Sequence, residues 1–184
     1  MVTINNEALR NIYHYLVTIE NTVRKESQRV SQDKSYLDKM VPEQLSRVYS
    51  TKEKTALAFI DNLTRTIYDN SVIALTATFE RVVFAKYRTT YGVIRTTINI
   101  HSTKPLNYFD SKERFVNDQI DGLSGILSLI ENIIDDDLFR KLKIIKDHRN
   151  FIAHGKRDSK PPAVEYDMDT IVKVLDEVIG EIEK

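Results

Sequence analysis

The chain of 184 residues contains no cysteine, and it has only five glycines and four prolines. Without cysteine it can form neither disulfides nor thiolate metal sites, which fits a reducing compartment. Sparse glycine and proline mean few turns, so the elements between the turns are long, and long elements are usually helices. The composition therefore favours an all-helical protein and excludes a disulfide scaffold.

Long apolar runs are also missing. The N-terminal residues, MVTINNEALRNIYHYL, contain no apolar run of the signal-peptide type, and no segment reaches the roughly eighteen consecutive apolar residues that a membrane span needs. Hydrophobic residues make up 41% of the chain and charged residues 29%, which is typical of globular proteins. We expect one soluble domain, residues 1–184, in the cytoplasm and without membrane contact.

An excess of either charge is absent too, because the formal net charge is +0, so no global field attracts nucleic acid. The distribution is uneven: residues 140–160 contain eight basic residues against two carboxylates, and an acidic C-terminal stretch follows. This basic segment is either a solvated helix face or a binding surface. Its members are Arg140, Lys141, Lys143, Lys146, Arg149, Lys156, Arg157 and Lys160.

Apolar residues at steps of three and four predict the helices of the N-terminal half. A first helix is predicted over Asn6–Glu26, and a short helical turn at Pro42. Ser50 and Glu53 form a capping-box signature that opens a long helix reaching at least Val82.

Four segments further along interrupt or extend this pattern. The letters YDNS at 68–71 predict a break or kink, and the β-branched run at 93–100 predicts a short strand for which no partner run exists. An irregular connection is expected over residues 101–108. Asp110 then caps a helix that extends through Ile134.

The C-terminal third predicts two more helices. Carboxylates at residues 135–137 suit a helix N-terminus, and Leu138, Leu142, Ile145 and Ile152 form the buried stripe. Gly155 fits the position just past the end of this helix. A last helix is predicted from near Asp167, and the sum is an all-α bundle of four to five main helices with up-down topology.

The sequence DHRNFIAHG, residues 147–155, breaks the apolar pattern. A further step of four from Ile145 arrives at Arg149, a charge where an aliphatic residue is expected, so it needs a carboxylate, a phosphate or an interface. Asn150 and His154 share a face. Arg149 and His154 differ by about 140° around the helix, so they converge only if the arginine bends, the last turn unwinds, or two copies meet.

Arginine binds phosphate, and histidine transfers protons near neutral pH. Together they suffice for metal-independent RNA cleavage, in which a 2′-OH attacks the adjacent phosphate. The alternative is structural, because histidine near a helix C-terminus is also a common stabilising residue. No pair of histidines has metal-ligand spacing and no glycine-rich phosphate loop is present, so we expect neither metal nor cofactor.

The segment RNFIAHG at 149–155 resembles the R-x4-H motif of the HEPN superfamily. A second segment, SVIALTATFERVVFAKY at 71–87, is similar to the mid-chain helix of RiboL-PSP-type HEPN domains, which leads into a glutamate, here Glu80. The resemblance implies a HEPN-like bundle and a homodimer whose motif helices form a shared cleft. It also implies metal-independent endoribonuclease activity, with Arg149, His154 and Asn150 as catalytic residues.

HEPN proteins of this kind are often toxins or effectors in prokaryotic defence, so the resemblance also implies an antitoxin or a neighbouring defence protein as partner. Lys156 stands two places after His154, where one toxin branch has a modifiable tyrosine, and that regulation therefore has no target here. We expect RNA contacts from Lys146, His148, Lys156 and Arg157, with His148 on the surface.

Glu80 is either a supporting acid paired with Arg149 or an exposed helix carboxylate. Two alternatives to catalysis remain. One is a non-catalytic HEPN module that binds RNA, a nucleotide or a partner protein. The other is a purely structural Arg149 in an internal salt bridge.

Overall fold

The computed structural model describes residues 2–32, 52–101, 122–155 and 164–184. Within these ranges the chain forms five helices and no strand, which confirms the all-α helical bundle predicted from the sequence. None of these helices is both long and apolar enough to cross a membrane. The helices are α1 (Glu7–Gln32), α2 (Lys52–His101), α3 (Gly122–Ile130), α4 (Asp136–Ala153) and α5 (Met168–Ile182).

The chain divides into two compact units. The larger unit contains the residues up to Arg10 and those from Val72 onward, and the smaller unit is Asn11–Ser71. The boundaries fall inside α1 and inside α2. Whether the whole chain folds as one domain stays a prediction.

The core of the larger unit is mainly aliphatic and includes the rings of Phe79 and Phe151. Helix α4 packs against both α3 and α5, and the amphipathic pattern of each helix turns its apolar residues inward. Burying side chains of this size stabilises a fold by about 1.5–3 kcal/mol each. Those with almost no exposed surface include Leu9, Val72, Leu75, Phe79, Ile126, Leu142, Ile145, Ile171, Leu175 and Val178.

A buried carboxylate ties the start of α1 to α5. Asp176 is 6% exposed, and it accepts hydrogen bonds from the backbone N–H of Asn5 (2.8 Å) and of Asn6 (2.7 Å). Asn6 in turn accepts from the backbone N–H of Leu9 at 3.2 Å. Because the first N–H groups of a helix lack intrahelical partners, Asp176 satisfies donors that would otherwise be left unpaired.

In the smaller unit, the C-terminal end of α1 packs against the first turns of α2. Val30, Ala56 and Ile60 form a buried apolar cluster, with Val23 and Leu57 partly buried against it. Helix α1 extends to Gln32, six residues beyond its predicted end at Glu26.

Helix α2 corrects two expectations. The break predicted at residues 68–71 is absent, because the backbone is helical throughout them. Ser71 is buried, and its hydroxyl donates to the Ile67 carbonyl at 2.7 Å. Such a bond satisfies the hydroxyl within the helix. The strand predicted at residues 93–100 is also wrong: this backbone is helical. A helix satisfies its own N–H and C=O groups, whereas a strand needs a partner.

One further predicted boundary is corrected by the structure. The helix predicted to run through Ile134 ends at Ile130, and a turn precedes Asp135. Gly122, its first described residue, has φ 59°, a left-handed conformation that glycine adopts without strain. The predicted turn at Pro42, the cap at Ser50, residues 102–108 and the helix start at Asp110 lie outside the described residues.

Candidate functional site

The N-terminus of α4 is capped as the sequence predicts. The Asp135 carboxylate accepts from the backbone N–H groups of Asp137 and Leu138, both at 3.0 Å. Asp137 also lies 2.6 Å from the ammonium of Lys141 and 3.7 Å from the guanidinium of Arg140. The hydrogen bond from Lys141 holds the pKa of Asp137 below its usual value and raises that of Lys141. Two cations of the basic segment are therefore already paired.

The buried stripe of α4 takes a different course from the one predicted. After Leu142 it advances in steps of three, through Ile145 and His148 to Phe151. Each step of three turns the buried side by about 60° around the axis. Arg149 consequently lies about 160° from Phe151 and is only partly buried. The interpretation of Arg149 as the residue that interrupts the stripe is wrong, because His148 occupies that position.

His148 is therefore a core residue. It is 3% exposed, which contradicts the expectation of a surface histidine. A side chain this deeply buried in the chain does not present a donor to RNA at the surface, so we remove it from the predicted RNA contacts.

Arg149 and Asn150 interact at the edge of the buried stripe, where Arg149 lies about 40° from Ile145 around the helix. A guanidinium nitrogen of Arg149 donates to Asn150 Oδ1 at 3.2 Å, and both side chains are partly buried. No carboxylate pairs with Arg149 among the described residues, so the internal salt bridge of the structural alternative is not found there. The asparagine orients the guanidinium and leaves several of its five N–H donors available.

His154 ends α4, and Gly155 ends the turn as predicted. The backbone N–H of His154 donates to the Asn150 carbonyl at 3.0 Å, and that of Gly155 donates to Ile152 at 3.0 Å. Gly155 has φ 68°, the left-handed conformation typical of this position. The His154 side chain is exposed, so its imidazole is open to a ligand.

Arg149 and His154 do not meet within one chain. No hydrogen bond joins their side chains in the described parts of the structure. The last turn of α4 remains helical up to Ala153, which keeps the two side chains about 140° apart around the axis. Of the three routes to convergence, local unwinding before His154 is therefore not observed.

Glu80 matches neither interpretation given to it by the sequence. Its Oε1 is buried and has no hydrogen-bond partner among the described residues, and no ion pair there connects it to Arg149. A Cβ placed on Gly122 would lie 3.6 Å from this oxygen. Glu80 thus faces the start of α3 and is kept out of the candidate site.

Of the remaining predicted RNA-binding residues, the structure describes only one. Lys146 lies on α4 and is partly buried, and no carboxylate of the described chain pairs with it. Lys156 and Arg157 lie outside the described residues. Within the described residues, no group of three or more histidine, aspartate or glutamate side chains is arranged to hold a metal.

Sequence reasoning missed one feature of this helix. The Lys143 ammonium lies over the Phe139 ring, 5.8 Å from its centroid. The spacing of four residues was the available signal, because such residues are neighbours on a helix surface. In this part of the helix the apolar pattern indicated only the core residues Leu138 and Leu142.

No family model matches this sequence, and neither a curated protein nor a solved structure matches it.

Proposed function

We propose that the protein is a metal-independent endoribonuclease whose site combines Arg149 of one chain with His154 of a second copy. One observation carries this proposal. The last turns of α4 present a partly buried arginine that is hydrogen-bonded to Asn150, and the helix then ends in an exposed histidine. An oriented guanidinium suits a phosphate, and an exposed imidazole suits proton transfer.

The proposed reaction needs only the RNA itself as nucleophile. His154 accepts the proton of a ribose 2′-OH, the 2′-oxygen forms a bond to the adjacent phosphorus, and the bond from phosphorus to the 5′-oxygen breaks. The proton held by His154 is then transferred to the departing 5′-oxygen, which leaves a 2′,3′-cyclic phosphate and a 5′-OH. Arg149 stabilises the charge that develops on the non-bridging oxygens, while Asn150 fixes the guanidinium.

A dimer is part of the proposal because of the geometry of α4. The two side chains diverge by about 140° in one chain, and the helix stays regular to Ala153. A two-fold arrangement of two α4 helices brings the arginine of each copy toward the histidine of the other, since an isologous interface pairs unlike residues reciprocally. The cleft implied by the HEPN resemblance is a shared site of this kind.

The test is cleavage of mixed cellular RNA in excess EDTA. Arg149→Ala and His154→Ala are expected to lower the cleavage rate by at least about a hundredfold, in line with the loss of an acid–base group or an oxyanion donor. Matched controls are Arg81→Ala and His14→Ala, which remove exposed residues of the same types from other helices. Intact RNA after incubation with wild-type protein, with and without divalent metal, would refute the proposal.

The role in prokaryotic defence, with an antitoxin or neighbouring defence protein as partner, comes from the HEPN resemblance alone. If the protein is such a toxin, its expression should arrest bacterial growth, and Arg149→Ala should relieve the arrest. Growth that is unaffected by the wild-type protein would argue against a toxin while leaving the ribonuclease activity to its own test.

A second candidate is a non-catalytic module that binds RNA. The observation that favours it is the Arg149 to Asn150 hydrogen bond, which forms without any contribution from His154. It predicts RNA binding with a steep loss of affinity as salt rises, but no cleavage products. Cleavage that requires His154 would exclude it.

A further inference from the structure

The exposed side of α4 carries a line of four side chains that ends at the proposed site. Phe139, Lys143, Lys146 and Asn150 follow one another at steps of four, three and four residues, so they share an arc of about 60° and extend over roughly 17 Å. All four are exposed or partly exposed. We call these four residues the α4 track.

Within the described residues, the cations of the track form no ion pair, unlike those beside it. Asp137 engages Arg140 and Lys141, whereas no carboxylate of the described residues forms an ion pair with Lys143 or Lys146. Asp147 is exposed and lies at the edge of the track, about 40° from Lys143. Together with Arg149 beside it, the track therefore presents three cations, flanked by Asp147 and by the exposed Asp136, which lies about 20° from Lys143 around the helix.

Phe139 adds a different chemistry to this line. Its ring is partly exposed, and the Lys143 ammonium is held 5.8 Å from its centroid. A ring next to an unpaired cation fits a nucleotide, because the base stacks on the ring while the phosphate lies near the ammonium.

We infer that the α4 track binds a single-stranded segment of the RNA substrate beside the cleaved phosphate. The inference rests on the proposed function, because the track ends at Asn150. Duplex RNA does not fit, since its bases are already stacked inside the helix and only unpaired bases can be splayed onto an aromatic ring. Lys143 and Lys146 contact phosphates, and Phe139 stacks on one base.

Binding of a non-cleavable probe tests the track separately from catalysis. The probe is a fluorescently labelled RNA of about twelve nucleotides, within the range that single-strand binding domains cover, and 2′-O-methylation removes its nucleophile. Fluorescence anisotropy gives its Kd. Phe139→Ala and Phe139→Leu are expected to raise the Kd at least about fivefold for the single strand and to leave that of a duplex probe unchanged.

The leucine variant retains apolar packing, so its effect reports the loss of the aromatic face. The matched control is Phe59→Ala, which removes a ring that is 56% exposed on α2. Lys143→Gln and Lys146→Gln are each expected to reduce the slope of log Kd against log salt by about 0.7, one phosphate contact on a single strand. Lys25→Gln, an exposed lysine on α1, should leave the slope unchanged.

The outcomes separate the two proposals. Wild-type protein that does not bind the probe, or Phe139 variants that bind it as the wild type does, would overturn the track. If those variants still cleave unmodified RNA in EDTA, the ribonuclease proposal survives that result. If the protein binds the probe through the α4 track but does not cleave unmodified RNA, the ribonuclease proposal is rejected and the α4 track is retained.

Discussion

At the scale of single residues, His148 and Arg149 are neighbours with opposite environments. His148 belongs to the buried stripe of α4, whereas Arg149 is partly exposed and bonded to Asn150. They differ by about 100° around the helix, which is enough to place one in the core and the other outside it. Mutation of His148 should therefore change mainly the stability of the fold, and mutation of Arg149 mainly the activity.

His148→Ala should destabilise the fold more than Arg149→Ala does. Removing a large side chain from the core leaves a cavity, and buried residues of this size cost about 2 kcal/mol or more when truncated. Arg149→Ala should cost less than about 1 kcal/mol, since its side chain is outside the stripe. Urea unfolding followed by circular dichroism measures both, with the exposed His154→Ala as control. A larger loss for Arg149→Ala would place the arginine in the core after all.

At the scale of helices, the beginnings and ends are determined by local side chains. Asp135 caps α4, and Asp167 caps α5 by accepting from the backbone N–H of Thr170 at 2.7 Å. Gly155 ends α4 with a positive φ. The sequence predicted the helix starts at residues 135–137 and near Asp167 and the helix end at Gly155, because such signals act on adjacent backbone and need no tertiary information.

The Asp167 cap should make stability depend on pH. Hydrogen bonds from the side chain and the backbone of Thr170 hold the pKa of Asp167 below its ordinary value of 3.8. A carboxyl whose pKa is lower in the folded state stabilises the fold above the unfolded pKa, and this contribution is lost as pH falls through the folded pKa. Asp167→Asn keeps a capping oxygen without the charge.

The free energy of unfolding of Asp167→Asn should consequently approach that of the wild type as pH falls below about 3.8. Denaturant titrations between neutral pH and this acidic range measure the difference. Glu165→Gln, an exposed carboxylate just before α5, is the control and should show no such convergence. A difference that stays constant over the range would show that the Asp167 charge does not stabilise the fold.

What the sequence does not predict depends on contacts between distant residues. From Ile145, a step of three to His148 and a step of four to Arg149 both fit the helical period, so the sequence does not decide between them. In the structure the stripe continues to His148 because the buried side rotates along the helix. The hydroxyl of Ser71 stays within α2 by bonding to Ile67, although the letters around it resemble a turn. The sequence identifies Arg149, Asn150 and His154 as candidate site residues, but it does not predict which groups their side chains contact.

At the scale of the whole molecule, the proposed site determines the expected assembly. One chain holds Arg149 and His154 on diverging sides of α4, so activity requires a second copy if the two act together. The active unit would then be a homodimer with two equivalent sites, each taking its arginine from one subunit and its histidine from the other.

Mixing two inactive variants should restore cleavage. In a heterodimer of Arg149→Ala with His154→Ala, one site lacks both residues and the other retains both. Random exchange makes half of the dimers heterodimers, so the mixture should regain about a quarter of wild-type activity. The control mixture of Arg149→Ala with the Arg149→Ala/His154→Ala double variant should regain none, because no pairing assembles an intact site. If the first mixture stays inactive although subunits exchange, the two residues act within one chain and the shared site is rejected.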